Sequence, residues 1–76
     1  MIYQTIAADE QKAMLEARLG QYEREHYAHA LNDRLLVSSG ATDDATKAAI
    51  KAAEDAMATL DQAHAAVVEE IAALSP

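Results

Sequence analysis

The chain has no cysteine, tryptophan or phenylalanine, only one proline, and two glycines. Without cysteine it can form neither disulfides nor thiolate metal sites. The scarcity of proline and glycine removes the usual breakers of long helices. Basic residues are also few: 6 Lys and Arg stand against 13 Asp and Glu, a formal net charge of -7. A chain of that sign repels phosphate backbones, so direct nucleic-acid binding is not expected. No run of apolar residues approaches the 18 or so needed for a membrane span. The start, Met1 to Thr5, lacks the basic region and apolar core of a secretory signal. The expected setting is therefore soluble: the cytoplasm, or a particle assembled there.

What is abundant is alanine, 19 of 76 residues. It favours helix strongly and adds little burial per residue. A periodic stretch runs from about residue 6 to residue 37, with Thr5 or Asp9 available as cap. Ser38 to Thr42 follow as a turn, where Gly40 can take the left-handed conformation that ends a helix. Thr42 is the expected N-cap of a second helix, from about 43 to 74, with Asp43 and Asp44 in its first turn. Each helix is about 45 Å long at 1.5 Å per residue. A single all-α domain over residues 1–76 is predicted: a long antiparallel two-helix hairpin, coiled-coil-like.

On the second helix Ile50, Ala53, Met57, Leu60, His64, Val67, Ile71 and Leu74 follow at alternating spacings of 3 and 4. This is an uninterrupted heptad seam with one polar member, His64. Beside it runs Ala45, Ala49, Ala52, Ala56, Thr59, Ala63, Ala66, Glu70 and Ala73, a row of small residues that lets a neighbour approach closely. The first helix has two stripes on separate faces. One is Leu15, Leu19, Tyr22 and His26; the other is Met14, Ala17, Gln21, Arg24, Ala28, Leu31 and Leu35. Two helices bury one seam between them, so the second stripe and the alanine row need a further neighbour. Oligomerisation into a helical bundle would supply it, as would docking in a larger assembly. The expected contact residues are Leu15, Leu19, Tyr22, His26, Tyr27, Leu31 and Leu35 on the first helix. Those on the second are Ile50, Met57, Leu60, His64, Val67, Ile71 and Leu74.

Chemistry has little foothold. There is no Gly-rich phosphate loop and no nucleophile elbow, so neither an enzyme nor a cofactor is expected. Glu23 and His26 share a helix face, as do Asp61 and His64. A Glu-x-x-His pair is an element of metal-binding four-helix bundles. The candidate ligands are Glu23, His26 and, from the facing helix, Glu54. With the turn centred near Gly40, His26 should face Glu54 and Asp55, and His64 should face Glu16 to Arg18. The two histidines then stand about 18 Å apart and cannot share a metal within one chain. Protonating His64 in an apolar seam should strain it, lowering stability between about pH 7 and 5.

The favoured function is a non-enzymatic structural or assembly subunit acting through helix–helix contacts. Size and shape suggest, by analogy alone, a small component of a bacterial or phage complex, including a virion. A homodimeric adaptor or regulator that binds another protein is the alternative, and a metal-binding four-helix bundle using Glu23 and His26 is a third.

Overall fold

The structure is a computed structural model and describes residues 6–74. Two α-helices of 31 residues each, α1 (Ala8–Ser38) and α2 (Asp44–Leu74), fold back on one another as an all-α hairpin. It measures 52 × 19 × 18 Å. Its radius of gyration is 17.0 Å, against about 11 Å for a compact domain of this length.

The helix ends follow local hydrogen-bonding chemistry. α1 starts after Ala7, which offers no side-chain cap. Gln11 reaches back, its Nε2 donating to the Ile6 carbonyl at 2.7 Å, which ties the preceding residue to the helix without capping the first-turn N–H groups. Asp9 lies inside the first turn, where its charge suits the helix dipole, and is not the cap. Thr5 lies outside the described residues.

At the other end Gly40 has φ 72°, the left-handed value that stops a helix. Its N–H donates to the Val37 carbonyl at 3.2 Å. The Ser38 and Ser39 hydroxyls donate to the Leu35 and Leu36 carbonyls at 3.0 and 2.6 Å. These bonds satisfy carbonyls that the helix end leaves open.

The cap of α2 is Asp43, where the sequence favoured Thr42. Both are good capping types, but Asp43 is the residue immediately before the helix. The Thr46 amide donates to its Oδ2 at 3.2 Å, and the Thr46 hydroxyl donates to its Oδ1 at 2.6 Å. Those two bonds, the hydroxyl first, hold the Asp43 carboxyl below its ordinary value.

Between the helices, all eight members of the α2 seam from Ile50 to Leu74 are at least half-buried. Opposite them lie Leu15, Leu19, Tyr22 and His26, also half-buried. The line continues through His29, Asp33 and Leu36, completing an alternating 4,3 repeat along α1. Only Ala53, 4% exposed, is buried among the described residues. No helix among them is long and apolar enough to cross a membrane.

Candidate interaction surface and the polar cleft

At mid-length the seam turns polar. His26 Nε2 lies 3.2 Å from Asp61 Oδ1, and His64 Nε2 lies 3.9 Å from Glu23 Oε2. The two acid-x-x-His pairs thus exchange partners, each imidazole addressing the carboxylate of the other helix. With Tyr22 and Leu60 they line a cleft of about 200 Å³.

This corrects the expected register. His26 meets Asp61 rather than Glu54 and Asp55, and His64 meets Glu23 rather than Glu16 to Arg18. The contacts are displaced by 5 to 7 residues, nearly two helical turns. Two causes add. Helical side chains lean toward their own N-terminus, so in an antiparallel pair the touching residues lie farther along both chains than the backbone level suggests. The connection Ser39–Asp43 adds the remainder by carrying the chain onward before α2 begins. The two histidines therefore share one level instead of standing about 18 Å apart.

Register also decides the metal candidates. Glu54 is exposed and does not line the cleft that holds Glu23 and His26. Among the described residues no three His, Asp or Glu side chains converge well enough to hold a metal ion. Glu23 faces the His64 ring, and the His64 side chain is 38% exposed.

The apolar residues of α1 divide between two surroundings. Leu15, Leu19, Tyr22 and His26 face α2, while Met14 (59% exposed), Tyr27 (62%), Leu31 (37%) and Leu35 (61%) are open. Ala17, Gln21, Arg24 and Ala28 are exposed as well, so the whole second stripe lies outside the hairpin contact. In α2, Ile50, Met57, Leu60, His64, Val67, Ile71 and Leu74 are all half-buried against α1. The alanine row splits: Ala49, Ala56 and Ala63 flank the seam, half-buried, while Ala45, Ala52, Ala66 and Ala73 are exposed.

The alanine row and the Met14, Gln21, Ala28 and Leu35 edge of the second stripe lie on the same broad side of the hairpin, while Ala17, Arg24 and Leu31 point away from α2. Met14 of the stripe and Glu70 of the row line one cleft, of about 230 Å³, at the open end. The Glu23 and Asp61 carboxylates belong to the opposite broad side, as right-handed helical geometry requires once the seams face each other. One broad side is thus small-residued with Met14 and Leu35 along it, and the other carries the acid–histidine exchange together with the exposed Val37 and Val68.

Sequence reasoning missed His29, Asp33 and Leu36. The 4,3 spacing from Leu15 to Leu36 was available, but polar His29 and Asp33 interrupt its hydropathy. Asp33 Oδ1 is buried without a hydrogen-bond partner. Comparison with protein-family models, curated proteins and solved structures finds no match for the chain.

Proposed function

We propose that the protein is a non-enzymatic structural or assembly subunit that works by helix–helix contact with a protein partner. The observation supporting this reading is that α1 has two apolar stripes and one intramolecular partner. Met14 and Leu35, each about three-fifths exposed, belong to the stripe that α2 leaves uncovered. Long helices in small assemblies bury such stripes against neighbours. A soluble role in the cytoplasm or in a particle assembled there, such as a bacterial or phage complex, fits the size and rod shape by analogy.

The test is site-specific photocrosslinking in the cell that encodes the protein. A photoreactive residue at Leu35 should yield a discrete protein adduct, and one at Lys51, on the charged face of α2, should not. Equal labelling from both positions, or no adduct from Leu35, would overturn the reading.

A further inference from the structure

We infer that the broad side formed by the second α1 stripe and the α2 alanine row is covered by the same side of a second copy, making a two-fold four-helix bundle. This rests on the interaction reading above and names its partner.

Surface area gives the first argument. The chain exposes 5661 Å² at a mass of 8.2 kDa. A compact monomer of that mass exposes about 4,500 Å², so the excess is about 1,100 Å². A standard interface removes about 800 Å² from each partner. One copy seated along the hairpin therefore brings the chain into the normal range.

Charge gives the second. Across both rows the charged residues are Arg24 and Glu70, one of each sign, although the whole chain carries -7. Arg18 and Glu25, exposed between the α1 seam and the stripe on the same side, add one more of each sign, so this side stays neutral while the other 11 acids and 4 bases lie elsewhere. The near-neutral side is where like-charged copies can meet. A strongly basic partner would find little there to attract it.

Shape gives the third. Alanines at 45, 52, 66 and 73 leave α2 flat on this side, while Met14 and Leu35 project from α1. A two-fold operation makes every contact twice, so projecting α1 side chains can lie on alanines of the partner's α2 in both directions.

Light scattering on the purified chain, from about 100 µM down to about 1 µM, tests this. The expected mass is twice 8.2 kDa. Ala52→Glu with Ala66→Glu places charge on the row at exposed positions and should return the mass to that of one chain. Ala58→Glu with Ala65→Glu adds the same charge to exposed positions of α2 off the row and should leave the dimer intact. Circular dichroism checks that both variants remain helical. A wild-type mass of one chain throughout, or of more than two, overturns the inference without reference to any variant. Equal dissociation by both pairs, or by neither, overturns the assignment of the side. A monomeric purified chain whose Leu35 still crosslinks another protein in the cell would sink this inference and leave the interaction reading standing. A monomer with no adduct would sink both.

Discussion

His26 and Asp61 meet at 3.2 Å across the hairpin, and three residues away on each helix Glu23 and His64 repeat the arrangement in reverse. The exchange marks a single level at which α1 and α2 are polar toward each other. All four side chains keep substantial exposure, 38% for His64 and 70% for Asp61 at the extremes. Pairs this wet contribute less than about 1 kcal/mol each. Asp61→Ala should therefore cost less than about 1 kcal/mol in urea unfolding at pH 7. His26→Leu with His64→Leu should gain about 1 kcal/mol, because apolar burial in the seam outweighs the lost pairs. A marked loss in the double variant would show that the exchange specifies the packing.

Asp33 should be a stability defect. Its Oδ1 is buried beside the seam with no hydrogen-bond partner. An unmet buried polar atom costs about 1–3 kcal/mol. Asp33→Leu completes the apolar repeat between His29 and Leu36 and should raise the unfolding free energy by at least about 1 kcal/mol. Thermal and urea melts would show it, and an unchanged midpoint would mean that water reaches the carboxylate.

The two glycines should answer one substitution with opposite signs. A Cβ at Gly20 would lie 3.5 Å from the end of the flexible Arg24 side chain, an ordinary contact. Gly20→Ala should therefore stabilise α1 by up to about 1 kcal/mol through helix propensity. At Gly40 nothing obstructs a Cβ, but φ is +72°. Gly40→Ala should cost about 1 kcal/mol from backbone strain alone. Melts of the two variants, read side by side, check the contrast.

Asp43 should give the hairpin an acid-sensitive end. Its carboxyl is held below the ordinary value by the Thr46 hydroxyl and amide. A group depressed on folding stabilises the folded state above its unfolded value, near pH 4, and loses that contribution as pH falls through the lower folded value. Asp43→Ala should lower the melting temperature by about 5 °C at pH 7. The gap from wild type should narrow below pH 4. A constant gap from pH 7 to pH 2 would show that the charged cap contributes nothing.

The parts of this fold that could be read in advance are those set by periodicity within one helix. The α2 seam from Ile50 to Leu74 is written as an unbroken apolar repeat, and its burial follows. On α1 the inner stripe is readable to His26 and then hidden, because His29 and Asp33 hold inward positions with outward chemistry. Relations between the helices were not readable in the same way. Whether His26 meets Asp55 or Asp61 depends on the path of Ser39 to Asp43 and on the lean of side chains, neither of which a spacing rule contains. The cap shows the same limit on a smaller scale. Thr42 and Asp43 are equivalent by residue type, and the backbone turn together with the Thr46 hydroxyl selects between them.

The single tight turn at Gly40 also orders the folding pathway. Leu36 and Ala49 are separated by a short loop, whereas Leu15 and Leu74 must be joined across nearly the whole chain. Loop-closure entropy grows with that separation. The hairpin should therefore close like a zipper from the Gly40 end, and the contacts of Leu15 and Leu74 should form last and open first.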